Sequence, residues 1–345
     1  MPIKQVHSGT ARGRGERALL GVIRQRAAAA YNGGLRLGIG DDCALLAPRR
    51  DEELAVTTDL SIAGRHFRLD WHQPEAVGHR ALARGLSDLA AMGARPVAAF
   101  LSLGLPRELT LATGRRSAWV ERFLDGLLAL AKLHKTPLAG GDLAESPLAV
   151  ADIVLVGAVP RGRALLRSGA KPGDLLYVTG ALGGAAAGLA RLAELAAAQP
   201  DRSKPPRIPP KLAAQLAPHL YPQPRIAQGL WLQRRGLASA ALDLSDGLST
   251  DLAHLCAESG VAAEVDAVRL PLHPTAIEAQ ALHGGEDYEL LFAAPVTARV
   301  PRSIAGVTIT RIGLIAKARA GQPAVTLLTP QGQQPLAPHG WEHFS

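Results

Sequence analysis

The sequence predicts a mixed α/β protein, α+β in the order of its elements, built as two domains, and three observations predict it. Its 345 residues exceed what a single hydrophobic core usually organises. Strand-length apolar runs and helix-length amphipathic segments mix irregularly in the first half, unlike the strict alternation of a parallel sheet. A basic connector, Pro160 to Lys171 with Arg161, Arg163 and Arg167, divides residues 1–160 from 161–345.

The elements follow in order. Residues 1–14 are polar, basic and expected to be mobile; Glu16 to Ala30 has the spacing of an amphipathic helix ending near Asn32-Gly33-Gly34. Gly38 to Asp42 is a tight acidic turn before a short strand, Cys43 to Ala47. A charged turn, Pro48 to Glu52, leads to the strand Leu54 to Asp59, and the two strands read as an antiparallel hairpin with acids at its outer ends. Pro74 to Met92 is helical and holds Asp88 between Leu86 and Leu89. Aspartate competes with the backbone for hydrogen bonds inside a helix, so Asp88 reads as functionally placed. Val97 to Leu105 is a strand, Ser117 to His134 a helix and Leu148 to Val159 a strand.

In the second half the strand Asp174 to Thr179 runs through Gly180-Ala181-Leu182-Gly183-Gly184 into the helix Ala185 to Ala198. Leu182 stands where a dinucleotide fingerprint needs its second glycine, so this turn reads as a strand-to-helix junction able to approach a phosphate. Gln199 to Lys211 is a Pro/Lys/Arg-rich loop. Helices follow at Arg225 to Arg235 and at Leu248 to Ser259, the latter capped by Gly260. Ala240 to Leu244, Val261 to Leu272 and Tyr288 to Ala294 are strands, and Thr308 to Leu336 reads as short strands and turns.

Composition narrows the class. With 47% hydrophobic and 20% charged residues the chain has the balance of a soluble globular protein, and no apolar run reaches membrane-spanning length. The run Leu19 to Ile23 is too short for a signal-peptide core, which makes cytoplasmic residence the expectation. Cys43 and Cys256 lie too far apart to form a metal knuckle by spacing and read as small buried hydrophobes. The net charge of +8 permits anionic partners, yet the arginines are scattered over helical surfaces without interleaved aromatics. Nucleic acid is therefore not an expected partner.

The chemistry is carried by acids. Carboxylates recur beside glycines and hydroxyls in Gly38-Ile39-Gly40-Asp41-Asp42, Thr57-Thr58-Asp59, Ser87-Asp88, Gly140-Gly141-Asp142, Asp243-Leu244-Ser245-Asp246-Gly247 and Gly284-Gly285-Glu286-Asp287. Each one alone is a common turn or helix cap. Together, in an otherwise basic chain, they make the hard-oxygen environment of a site for several Mg²⁺ ions serving phosphates. No Walker loop, protein-kinase loop or Gly-x-Ser-x-Gly elbow is present, and His66, His72 and His79 lack zinc-protease spacing. Phosphoryl transfer, which asks the protein chiefly for positioning and charge neutralisation, fits what remains.

In this order and spacing these motifs resemble the thiamine-monophosphate kinase family. It lies within the PurM-like superfamily of aminoimidazole ribonucleotide synthetase and selenophosphate synthetase. Further landmarks are Gly64-Arg65-His66-Phe67, Leu86 to Ala94, Arg167 to Asp174, Gly284 to Leu290 and the terminal Gly340-Trp341-Glu342-His343-Phe344. The resemblance implies direct, Mg²⁺-dependent transfer of the ATP γ-phosphoryl group to thiamine monophosphate. It implies a homodimer whose N-terminal sheets join into a barrel, and a C-terminal α/β domain that completes the site. By position it assigns Asp42, Thr57, Thr58, Asp59, Asp88, Asp142, Asp243 and Asp246 to Mg²⁺. Gly141, Asp142, Arg167 and Ser245 fall to ATP, and His66, Glu286 and Trp341 to the thiamine side. An indole face suits the thiamine cation.

Leu60 and Leu143-Ala144 depart from the family's hydroxyl-bearing positions, which bears on hydrogen bonds around the ligands and not on the ligands. Selenophosphate synthetases are expected to carry a reactive cysteine or selenocysteine near the N-terminus, and none precedes Cys43. Hydrogenase-maturation relatives end in a cysteine, whereas this chain ends Phe344-Ser345. A nucleotide-binding regulator without catalysis is the rival from another class. The intact acid set speaks against it, since close carboxylates are unfavourable without cations.

Overall fold

In the computed structural model, which describes residues 16–27, 33–112 and 118–341, two sheets flank a layer of buried helices. The elements of the first half are α1 (Glu16–Ala27), β1 (Leu35–Leu37), β2 (Leu45–Leu46), β3 (Glu52–Ile62), α2 (Pro74–Ala91), β4 (Arg95–Leu105), α3 (Trp119–Leu133), β5 (Leu138–Glu145) and β6 (Val150–Pro160). The second half contributes β7 (Leu175–Thr179), α4 (Gly184–Ala198), α5 (Ala213–Leu220), α6 (Ile226–Arg235), β8 (Ala240–Asp243), α7 (Leu248–Ser259) and β9 (Ala262–Asp266). It closes with α8 (Glu278–His283), β10 (Leu290–Ala294), β11 (Ser303–Ile304), β12 (Val307–Ala316), β13 (Val325–Thr329) and β14 (Gly332–Pro335).

Strands β3, β6, β4 and β5 pair in that order in a four-stranded sheet, antiparallel except for the parallel β4–β5 pair. An eight-stranded sheet runs β14-β13-β9-β12-β7-β10-β8, with β11 on β12. Within the first sheet, edge strand β3 alternates cleanly. Along β3, Thr57 and Asp59 turn inward while Leu54, Val56, Thr58 and Leu60 turn outward, the three apolar ones 44%, 63% and 45% exposed. Among the described residues nothing fully covers that outer face.

Helix α2 explains how the sheets are joined. Fifteen of its eighteen residues are buried, so it is apolar nearly all round and lies inside the molecule rather than upon it. It packs on β3, β4 and β6 on one side and on β8 and α6 on the other. Its exceptions are Glu75, Arg84 and Asp88. One large core accordingly joins Leu82, Leu86, Phe123 and Leu155 to Leu232, Leu290 and Phe292.

Most expected elements are present within a few residues, and Leu248 to Ser259 is helical as read, with Gly260 left-handed at its end. The hairpin is a correction. β2 pairs with β1, whereas β3 pairs along its full length with β6, because an eleven-residue strand finds its hydrogen-bond partners in the equally long β6. Gly140-Gly141-Asp142 is likewise no turn; it lies within β5. Helices α5 and α8 were not expected from the sequence. The expected mobile segment 1–14, the helix end near Asn32, and Glu342-His343-Phe344 lie outside the described residues. Among the described residues no helix is long and apolar enough to cross a membrane.

Candidate functional site

A cavity of about 500 Å³ opens between α2, the 59–72 segment and the turns after β8 and before β10. Its acidic side is set by three elements. Inward-facing Asp59 comes from β3, half-buried Asp88 from α2, and Asp243 and Asp246 from the end of β8 and its following turn. Thr57 donates its hydroxyl to Asp88, and buried Ser87 donates to Asp243 Oδ2 at 2.6 Å. Ser245 lines the cavity beside them.

Burial pushes the Asp59 carboxyl up to about 6, against the Arg84 guanidinium, whose Nη2 lies 3.1 Å from Oδ1. Burial and then the charge of Asp243 push Asp88 up to about 6, and burial raises Asp243 as well. The acids thus feel one another, yet among the described residues no three of His, Cys, Asp or Glu converge closely enough to hold a metal. The donor set is nonetheless all oxygen and short of positive charge, which fits hard divalent cations.

The same cavity is also lined by His66, Glu286, Tyr288 and Trp341, with Trp71 and Leu189. His66 accepts the Ile62 amide at Nδ1 (3.1 Å), which leaves its proton on Nε2. Burial would raise Glu286, but Arg80, bonded to its two oxygens at 2.7 and 2.9 Å, holds it below the ordinary carboxylate range. Arg80 also donates to the His219 carbonyl at 2.7 Å and the His66 carbonyl at 3.2 Å. His219 and His72 share a 3.0 Å ring contact, and burial lowers both, His72 to about 4, so both stay neutral at pH 7.

Turn geometry holds these residues in place. Glu286 and Tyr288 both have left-handed backbones, φ 68° and 52°. Their amides donate to the carbonyls of Ser245 and Leu244 at 2.8 and 2.9 Å, which locks the two turns together. A strained backbone so over-determined is a mark of a site. Asp251 supports the other turn, its Oδ2 accepting the Asp246 and Gly247 amides at 3.0 Å each. Trp341 arrives from the far end of the chain. Its amide donates to the Asp246 carbonyl at 3.1 Å, and Gly340 donates to Thr250 Oγ1 at 3.0 Å. A Cβ on Gly340 would stand 2.0 Å from the Asp246 carbonyl oxygen, so only glycine lets the strap lie this close.

Of the residues assigned from sequence, the cavity gathers Asp59, Asp88, Asp243, Asp246, Ser245, His66, Glu286 and Trp341, with Thr57 behind Asp88. Arg167 is exposed outside the lining but its charge reaches Asp88 and Asp243. Asp42, Thr58, Gly141 and Asp142 are exposed and do not line it. Thr58 projects from the outer face of the first sheet, and Asp142 lies on its β5 edge in register with exposed Ser102. Asp287 proves to be a helix cap. It accepts the Gly183 and Ala185 amides at 2.6 and 3.0 Å, so the junction thought able to meet a phosphate is filled by the protein's own carboxylate.

Sequence reasoning missed Arg80, Arg84, His72, His219, Tyr288 and Asp251. A signal existed for two of them: Arg80, Arg84 and Asp88 repeat every four residues and so share one helix face.

Comparison with known proteins adds relatives. Residues 40–164 match the AIR synthase related protein family, N-terminal domain, and residues 171–307 match its C-terminal domain. Thiamine-monophosphate kinase of Escherichia coli (strain K12) is 43% identical over 292 residues, 81% of this chain and 84% of that protein. The crystal structure of thiamine-monophosphate kinase from Stenotrophomonas maltophilia K279a superposes with a TM-score of 0.75 at 38% identity, covering 91% of this chain and 96% of that one. AaThiL complexed with AMPPCP and TMP gives 0.72 at 31%, covering 96% and 97%.

Proposed function

The chain belongs to the thiamine-monophosphate kinase family, with its two-domain PurM-like fold, and from this premise we propose that it transfers the γ-phosphoryl group of ATP to the phosphate of thiamine monophosphate, yielding thiamine diphosphate and ADP. One observation carries the reading: a single cavity is lined both by Asp59, Asp88, Asp243 and Asp246 and by His66, Glu286 and Trp341.

Asp59, Asp88, Asp243 and Asp246 would hold Mg²⁺ with the Thr57 hydroxyl, and Asp42, Thr58 and Asp142 would complete the ligand set. Magnesium supplies neutralisation of phosphate charge and a template for in-line transfer. Gly141, Asp142, Arg167 and Ser245 meet ATP. His66 offers its Nε2–H, Glu286 its carboxylate fixed by Arg80, and Trp341 its ring to the thiamine cation. No proton acceptor is required, because the attacking phosphate oxygen is already largely ionised near neutral pH.

Residues 1–160 would serve metal, ATP and dimerisation, and residues 161–345 would complete the site. The exposed Leu54, Val56 and Leu60 support a homodimer in which two such sheet faces close into a barrel. Thr58 shares that face, and Asp142 flanks it on the β5 edge. Partner packing there would order the ligands that the cavity of one chain lacks.

The decisive assay is thiamine diphosphate formation from ATP, Mg²⁺ and thiamine monophosphate, with free thiamine in parallel. Product from the monophosphate alone is expected. No product from either, with ATP still bound, would reject the kinase in favour of another ATP-using enzyme of the superfamily or of a regulator.

A further inference from the structure

Arg80 and Arg84 stand one helical turn apart on the α2 face that carries Asp88, but they are used differently. Arg80 is fully engaged by Glu286, His219 and the His66 carbonyl. Arg84 lines the cavity and uses one nitrogen: Nη2 meets Asp59 at 3.1 Å. Its Nε and Nη1 are shut off from solvent and have no hydrogen-bond partner among the described residues. A guanidinium is a planar fork matched to two oxygens of one carboxylate or phosphate, and buried donors left unmade are unfavourable. Arg84 is thus a fork with most of its capacity unspent.

Its surroundings say what would fill it. The groups whose charge it feels are Tyr288, Asp59 and Glu286, so it stands near both Asp59 of β3 and the turn before β10. Another cation of the cavity, Arg68, is committed to Asp70 at 3.0 and 2.6 Å and lies over the Trp71 ring.

We propose that Arg84 binds the phosphate of the acceptor substrate and makes that phosphate the condition for its acceptance. This rests on the kinase reading above. With Asp59 holding a cation, Arg84 would be free of its one ion pair among the described residues and its fork could meet two phosphate oxygens. A substrate ending in a neutral hydroxyl offers no such pair of oxygens.

The test is binding to the full chain, followed by calorimetry, of thiamine monophosphate, free thiamine and a non-hydrolysable ATP analogue, each with Mg²⁺. Wild type should favour the monophosphate over thiamine. Arg84→Ala should weaken the monophosphate at least tenfold and leave thiamine and the ATP analogue within about twofold. Arg84→Lys keeps the charge but not the fork and should fall between; it carries the test alone if the alanine variant does not fold. Unchanged preference for the monophosphate in the variants overturns the proposal, as does equal loss of monophosphate and ATP analogue. Wild type that turns over no monophosphate overturns the kinase reading itself, a result distinct from either.

Discussion

At pH 7 the Asp88 carboxylate is charged inside a wall that favours its neutral form. Its folded-state value of about 6 lies above the ordinary 3.8, so the folded chain binds the extra proton between those values. The associated stability is present below pH 3.8 and is lost as pH rises through 6, about 3 kcal/mol for a shift of this size. Asp88→Asn should therefore flatten this part of the metal-free stability profile between pH 4 and 7, measured by urea unfolding, while abolishing most turnover. A variant with near-wild-type turnover at saturating Mg²⁺ would remove Asp88 from the ligand set. Asp88 was legible in the sequence because an aspartate amid apolar helix residues violates a local preference. Arg84, four residues earlier, violates none: arginine is a good helix former and its long stem usually carries the charge to water, so its burial could be learned only from packing. Asp287 shows the reverse error, an acid grouped with the site whose carboxylate caps α4.

Among the elements, α2 and α3 cross at a reciprocal contact of glycines. A Cβ on Gly78 would meet the Phe123 carbonyl oxygen at 1.9 Å, and one on Gly126 would meet that of Glu75 at 1.8 Å. Both blocking atoms are backbone, so the helices themselves would have to separate. Gly126→Ala is expected to destabilise by roughly 1–3 kcal/mol, the usual cost of overpacking, despite alanine's better helix propensity. Denaturant midpoints check this, and an unchanged or higher midpoint would show that the crossing yields. Long periodic helices and their caps were readable because their signals are local. Which strand pairs with β3 was not, since the choice lies between a neighbour in sequence and a strand ninety residues on, and pairing length decides it. Short α5, with Pro218 inside it, gives too few turns for a periodic pattern.

For the whole molecule, the proposed homodimer rests on the exposed face of the first sheet. Val56→Lys would place a charge at the centre of the proposed barrel and should convert a dimer into a chain of 36.1 kDa, as read by sedimentation. Activity should fall with it, because on the proposed reading Thr58 and Asp142, on and beside that face, hold Mg²⁺. A wild type that sediments as a monomer would reject the homodimer. The strap through Gly340 has a consequence for synthesis as well. The cavity wall runs from Asp59 to Trp341, and a ribosome delivers these residues in that order. Both sheets are complete once β14 has emerged, while Trp341 is still inside the exit tunnel. A transcript cut short by a late stop codon would therefore encode both sheets but not Trp341. On the proposed reading such a chain would lack the indole that meets the thiamine cation.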